Sequence, residues 1–130
     1  MKTNKIVVRY RDGSLIKGYS SDFYPDKKFF HVKPKSGEVI LVDVEKLKAV
    51  FFVKDFMGDS RHKDTYKDAR PWNGKKIQVH FFDDEVLVGY TLHYSSDHHG
   101  FFVAPADLGS NNEDIYVITS ATRKITFLQD

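Results

Sequence analysis

The chain has 130 residues, of which 41% are hydrophobic and 15% aromatic, and 20 Lys and Arg face 18 Asp and Glu. This composition is typical of a folded globular chain and argues against intrinsic disorder. Because there is no cysteine, disulfides and thiolate metal sites are excluded. The N-terminal residues do not match a secretory signal, and no apolar run approaches the roughly 20 residues of a membrane helix. We therefore expect a cytoplasmic protein without a membrane partner.

The dominant pattern in the sequence is an internal repeat. Residues 5–34 align without a gap with residues 76–105 at an offset of 71, and ten of the aligned positions are identical. Gly18 and Gly89 are one of these identical pairs. A repeat of this kind indicates that one structural unit occurs twice.

Each unit is predicted to contain five short strands. Apolar and polar residues alternate from Ile6 to Tyr10, which predicts the first strand, and Asp12-Gly13 predicts a tight turn into the second. Gly18 lies inside that second strand, where glycine usually marks a bend or a close backbone approach. The short segment before the fifth strand predicts a single 3₁₀ turn. The later strands are predicted at residues 15–23, 29–33, 39–44 and 49–54, and those of the second unit at 77–81, 86–94, 100–104, 115–118 and 125–128.

Short, curved strands of this number predict an all-β fold made of two tandem small five-stranded antiparallel barrels, each strongly bent. We place the first barrel at residues 1–55 and the second at residues 75–130. Residues 56–74 are polar with mixed charge and fit neither repeat. They are predicted to be a linker.

The turn and the bent strand carry a family resemblance. Residues 12–19 resemble the first motif of Sm-like barrels, in which a turn glycine is followed five residues later by a second glycine. Gly13 and Gly18 keep this spacing, whereas the second repeat has Asp84 in place of the first glycine and retains Gly89. The resemblance implies an Sm-like barrel for each unit. The aspartate and the Arg-Gly motif of that family have no match here, so its RNA site is not carried over. The whole chain is also similar to an uncharacterised bacterial family of tandem barrels, which implies no activity.

Charge is distributed unequally between the two repeats. Residues 1–55 carry twelve Lys and Arg against seven Asp and Glu, a net charge of +5, whereas residues 76–130 carry three against eight, a net charge of −5. One interpretation is that the two repeats attract each other, within one chain or between chains. The other is that the basic repeat binds an anionic partner.

The first repeat supplies candidate residues for binding an anion or a nucleic acid. Cations interleaved with aromatic residues are typical of proteins that bind single strands, through phosphate contacts and base stacking. Two arginines beside a turn also resemble in part the phosphate-binding motif of PilZ domains, which bind cyclic dinucleotides, although the spacing differs. Against this interpretation, Tyr19 has an identical counterpart, Tyr90, in the acidic repeat, which indicates a barrel-core residue. The candidate contacts are Arg9, Arg11, Lys17, Lys27, Lys28, Lys33 and Lys35.

Catalytic and metal sites have little support in the sequence. No nucleophile–base motif and no phosphate-binding glycine loop is present. His93, Asp97, His98 and His99 are residue types that bind transition metals, but adjacent loop residues do not easily face one ion. We expect no enzyme activity, no cofactor and no metal. The sequence favours a non-catalytic protein-interaction or adaptor module, whose exposed strand edges bind another protein or a second copy of the chain. Single-stranded RNA or cyclic-dinucleotide binding through the basic repeat is the alternative.

Overall fold

The computed structural model describes residues 3–56, 74–92, 94, 98–106 and 111–128, except for the side chain of Glu113. This part of the chain forms ten strands and two 3₁₀ turns, and it contains no helix long and apolar enough to cross a membrane. The strands of the first unit are β1 (Asn4–Tyr10), β2 (Leu15–Ser20), β3 (Phe29–Pro34), β4 (Ile40–Asp43) and β5 (Leu47–Val53). Those of the second are β6 (Lys75–Phe81), β7 (Val86–Thr91), β8 (Gly100–Pro105), β9 (Asn112–Ile118) and β10 (Thr122–Phe127).

The ten strands form one antiparallel sheet in the order β10-β6-β7-β8-β9-β5-β1-β2-β3-β4. The all-β prediction is confirmed. The two units are joined by pairing between β5 and β9, a junction we call the seam. Over the described residues the sheet does not close on itself, since β4 and β10 stand at its two ends. The predicted closure of each unit into a separate barrel is therefore not confirmed.

The strand registers repeat between the units. Ile6 lies opposite Gly18 in the first unit, and Ile77 lies opposite Gly89 in the second, which preserves the offset of 71. From β4 and β9 onward, corresponding residues are 75 apart. Both fifth strands also carry one unpaired residue at the same position, a β-bulge.

The two predicted 3₁₀ turns are confirmed at Val44–Lys46 and Thr119–Ala121. In the first, the Asp43 side chain accepts a hydrogen bond from the backbone N–H of Glu45, which caps the turn. The second strands are shorter than predicted, ending at Ser20 and Thr91. Most of the predicted linker, residues 57–73, lies outside the described residues.

The core draws on both units, because the seam strand β5 is buried on both of its faces. Val50 lies opposite Val8 of its own unit, and Ala49 lies opposite Val117 of the second unit. All four side chains have no exposed surface. The two faces of β5 therefore pack in different halves of the core. Since both halves share this strand, the two units do not pack independently of each other there.

Gly18 and Gly89 occupy equivalent positions where two strands approach closely. A Cβ atom on Gly18 would lie 2.6 Å from the carbonyl oxygen of Lys33, and one on Gly89 would lie 2.2 Å from that of Ala104. Both distances are far below van der Waals contact. The prediction that neither position has room for a side chain is confirmed.

The tight turns of the two units share one backbone conformation despite different sequences. Gly13 has a φ of 93° and its counterpart Asp84 a φ of 71°. This is the left-handed region, which glycine adopts without strain and aspartate tolerates better than most residues. The turn therefore survives the loss of its glycine in the second repeat.

Candidate interaction surfaces

Three of the seven predicted anion contacts lie on the outer face of the first unit. Alternate residues of β1 to β3 are buried, so Arg9, Lys17 and Lys33 point away from the core. Tyr19 lies opposite Lys5 in β1 and opposite Lys33 in β3. We call the three cations beside Tyr19, namely Lys5, Lys17 and Lys33, the basic face. Arg9 lies farther along the outer face, opposite Leu15, and its guanidinium carbon is 5.2 Å from the centre of the Phe51 ring. Lys5 was not predicted, although the same alternation along β1 places it on this face.

The aromatic residue at the centre of the basic face is only half-buried. The ring of Tyr19 packs edge-on against Phe56, with centroids 5.2 Å apart, and the Lys17 Nζ donates to the Phe56 carbonyl at 2.9 Å. The prediction that Tyr19 is a core residue is therefore wrong. Its counterpart Tyr90 is buried, 6% exposed, in a small cluster with Val88. Identity between repeats thus did not imply an identical environment.

Three other predicted contacts lie in loops of the first unit. Lys27 Nζ lies 5.0 Å from the centre of the Tyr24 ring, and Lys28 Nζ lies 3.8 Å from Glu45 Oε1. Lys35 is exposed in the turn between β3 and β4. Lys28 is thus partly neutralised, and the seven candidates do not form a single continuous surface.

The seventh candidate, Arg11, lies at the seam. Its Nε donates to the Leu47 carbonyl at 3.3 Å, and its guanidinium also donates to the Ser120 hydroxyl of the second unit. A guanidinium engaged in this way bridges the two units and is not free to clasp a ligand.

The strongest polar contact of the seam involves Lys48, which sequence reasoning missed. Lys48 is the bulge residue of β5 and is 6% exposed. Its Nζ donates to Asp83 Oδ2 at 2.7 Å and to Glu85, and it lies 4.7 Å from the centre of the Phe81 ring. The hydrogen bond from Lys48 lowers the pKa of Asp83, against a burial effect that raises it. Cations of the basic repeat therefore meet carboxylates of the acidic repeat within one chain, as the first interpretation of the charge asymmetry expects.

Aromatic side chains fill the other side of the seam. The ring centroid of Phe23 lies 5.6 Å from that of Phe52 and 5.1 Å from that of Tyr116, and Phe102 completes the cluster. Tyr116 donates its hydroxyl hydrogen bond to the Pro25 carbonyl at 3.1 Å, and burial raises the pKa of Tyr116 to about 12. Edge-on aromatic pairs at these distances add to the apolar burial, so the seam resembles a domain core.

Both ends of the sheet expose apolar side chains. On the β4 edge, Val39 is 56% exposed and Leu41 59%, with the half-exposed Phe29 on the neighbouring strand. On the β10 edge, Phe127 is 48% exposed. Within the described residues, neither edge strand has a neighbour on its outer side. Short apolar edges of this kind are sites where another strand can add to a sheet.

One trio of side chains contains the residue types of a catalytic triad. His31 Nδ1 lies 2.6 Å from Asp22 Oδ2, and Ser20 donates its hydroxyl hydrogen bond to Asp22 Oδ1 at 3.2 Å. Burial is the largest single effect and raises the pKa of Asp22, but the hydrogen bonds from His31 and Ser20, together with the charge interaction with His31, lower that pKa overall. Because the serine bonds to the carboxylate, the trio does not show the serine–histidine contact that activates a nucleophile.

The predicted histidine cluster is described only in part. His98 and His99 are exposed, whereas His93 and Asp97 lie outside the described residues. No group of three residues able to bind a metal occurs in the described part of the chain. A cleft of about 380 Å³ borders His98, and its walls include Pro25, Phe102 and Tyr116.

Comparison with known proteins adds a family but no activity. No curated protein and no solved structure is detectably similar to the chain. Residues 2–129 match the model of a family of unknown function, DUF6982. Because the match covers nearly the whole chain, the protein belongs to the DUF6982 family.

Proposed function

We propose that the protein is a non-catalytic protein-interaction module, or adaptor, that binds partners through the free edges of its sheet. The observation that carries this proposal is the β4 edge. Val39 and Leu41 are more than half exposed at the end of the sheet. An added strand would satisfy the backbone groups of β4 and cover these side chains, which is the mode of binding known as β-augmentation.

The proposal includes a description of the two units. The repeat and the strand order β4-β3-β2-β1-β5 within the first unit support a small, strongly bent Sm-like barrel, opened on the side of its fourth strand. Within the described residues, β5 ends at Val53 and β6 begins at Lys75, which supports the division into residues 1–55, a linker at 56–74, and residues 75–130. A cytoplasmic location and the absence of a cofactor stay predictions.

The proposal is tested by capturing partners on the tagged full-length protein and on a variant with an altered edge. Leu41→Glu places a charge on the β4 edge at a position that is 59% exposed, so the fold is expected to tolerate it. Leu15→Glu is the matched control, since Leu15 is 46% exposed on β2, away from both edges. We expect Leu41→Glu to lose bound proteins that the parent and Leu15→Glu retain. If all three proteins retain the same partners equally, edge binding is rejected.

A second candidate function is the binding of single-stranded RNA or a cyclic dinucleotide at the basic face. The observation that favours it is the half-buried Tyr19, with Lys5 and Lys33 on the strands at either side. Lys17→Glu combined with Lys33→Glu should then abolish the mobility shift of a short RNA, and the affinity of the parent should fall steeply with salt. If the parent retards neither RNA nor cyclic dinucleotide even at low salt, this candidate is rejected.

A further inference from the structure

We propose that the protein binds a second copy of itself head to tail, with β10 of one copy pairing antiparallel with β4 of the next. This inference rests on the proposed function and names the partner of the two free edges. The seam inside the chain joins the fifth strand of one unit to the fourth strand of the other. Among the strands that the structure describes, the edges left open are a fifth strand, β10, and a fourth strand, β4. The chain therefore carries at its two ends the same two strands that it joins in the middle.

The register of the seam predicts the register of the new junction. Corresponding residues of the fourth and fifth strands lie 75 apart in the two units. We replace each residue of a seam pair by its counterpart 75 positions away in the other unit. This places Ile125 of one copy opposite Leu41 of the next, and Phe127 opposite Val39. Three of these four side chains are about half exposed or more. Pairing would bury apolar side chains that now face solvent on both edges, and such cross-strand pairs stabilise a sheet.

Charge at the two edges is also complementary. The bulge position of the seam, Lys48, corresponds to Arg123 in the second unit, and its partner Asp83 corresponds to Asp12 in the first. The head-to-tail arrangement would bring Arg123 of one copy near Asp12 of the next. In the single chain, Arg123 contacts the exposed Asp84 of its own unit. The net charges of +5 on residues 1–55 and −5 on residues 76–130 favour the same orientation, acidic end to basic end.

The β10 side of the junction between copies is more polar than the β5 side of the seam. Ala49, which is fully buried in the seam, corresponds to Lys124 on β10. A lysine at this position makes the junction less apolar than the seam, so we expect reversible association that depends on concentration. The contact is heterologous, because the two copies use different surfaces. It produces a ring if the rotation between copies closes and an open chain if it does not.

The test is sedimentation velocity of the full-length chain over a range of concentrations, with one variant at each edge. Leu41→Glu alters the β4 edge and Phe127→Glu the β10 edge, and Leu15→Glu is again the control. The Lys75 Nζ lies near the Phe127 ring, so the folded unit can accept the negative charge that Phe127→Glu introduces. Circular dichroism of each variant establishes that it is folded. We expect the parent and Leu15→Glu to associate, and each edge variant alone to be monomeric.

Mixing the two edge variants separates head-to-tail pairing from other modes. Leu41→Glu retains an intact β10 edge and Phe127→Glu an intact β4 edge, so an equimolar mixture should form a species of two chains and nothing larger. A dimer of Phe127→Glu alone would show symmetric pairing of β4 with β4 and would overturn the proposal. So would association that neither variant changes.

A parent that is monomeric at every concentration also overturns self-association. The effect of Leu41→Glu on partner capture then decides separately about the proposed function. Partners lost from that variant would leave edge binding in place with a different protein as partner. Partners retained by it would reject both proposals.

Discussion

The seam can be weakened at a single side chain, Lys48. Replacement by Met keeps much of the buried hydrocarbon stem and removes the ammonium. Two charge-assisted hydrogen bonds would be lost, each contributing roughly 1.5–3 kcal/mol when well formed. The side chains of Asp83 and Glu85 are 52% and 47% exposed, so water can replace part of that contribution. The cation–π contact with Phe81 adds about 1 kcal/mol. Removing the buried ammonium also removes its desolvation penalty, which is several kcal/mol for a buried ion and offsets much of this loss. We expect Lys48→Met to lower the free energy of unfolding by about 2 kcal/mol.

Arg123→Met is the matched control, because Arg123 occupies the equivalent bulge and its ion pair with Asp84 is exposed. We expect that variant to lie within about 0.5 kcal/mol of the parent, as exposed pairs usually do. Urea unfolding followed by circular dichroism measures both differences. At neutral pH the loss for Lys48→Met corresponds to a melting temperature about 8 °C below that of the parent.

The pH dependence of the Lys48→Met effect tests its electrostatic origin. Because the pKa of Asp83 is lowered in the folded state from its usual 3.8, its contribution is fully present above that value and is lost as the pH falls through the lowered pKa. The difference between the parent and Lys48→Met should therefore be constant near neutral pH and should shrink below about pH 3.8. A difference that stays the same at low pH would refute the assignment of stability to these ion pairs. Equal effects of Lys48→Met and Arg123→Met would show that the seam does not depend on Lys48.

Three further predictions follow from local geometry. We expect Gly18→Ala to lower the free energy of unfolding by about 2 kcal/mol and Gly89→Ala by about 3 kcal/mol, because the added Cβ would lie closer to the opposite backbone at Gly89. Melting temperatures equal to that of the parent would contradict these approach distances. Asp84→Gly should stabilise by about 0.5–1 kcal/mol, because glycine adopts the left-handed turn without strain, and a lower melting temperature would count against that conformation. Burial raises the pKa of Asp22 while hydrogen bonds from His31 lower it below its usual 3.8. His31→Ala should therefore raise that pKa, and an unchanged carboxylate titration by NMR would show that the contact does not form in solution.

The predictions that succeeded depend on neighbours in the sequence. Alternation along β1, the Asp12-Gly13 turn and the 3₁₀ turns before β5 and β10 each follow from a few adjacent residues. The repeat strengthened them, because the same local signal occurs twice. Gly18 and Gly89 were identified for the same reason, since glycine inside a strand has a steric meaning wherever the partner strand lies.

The predictions that failed depend on contacts between residues distant in the sequence. Tyr19 and Tyr90 are identical in sequence, yet Tyr19 lies on an outer face between lysines and Tyr90 is buried. Arg11 was grouped with the ligand-binding cations, but it hydrogen-bonds across the seam. Neither outcome could be deduced from residues adjacent in the sequence, because Tyr90 packs against Ala106 and Leu128 and Arg11 bonds to Ser120.

The sequence by itself determined that the protein has two copies of a five-stranded all-β unit, because periodicity, turn chemistry and steric exclusion at glycine act over short distances along the chain. Only the tertiary structure decided that β5 pairs with β9, that Lys48 is buried against the second unit, and that β4 and β10 stand at the ends of one sheet. The physical reason is that any strand edge offers the same backbone donors and acceptors. Which edges meet depends on the packing of side chains distant in sequence, and that packing also decides which edges stay open to a partner.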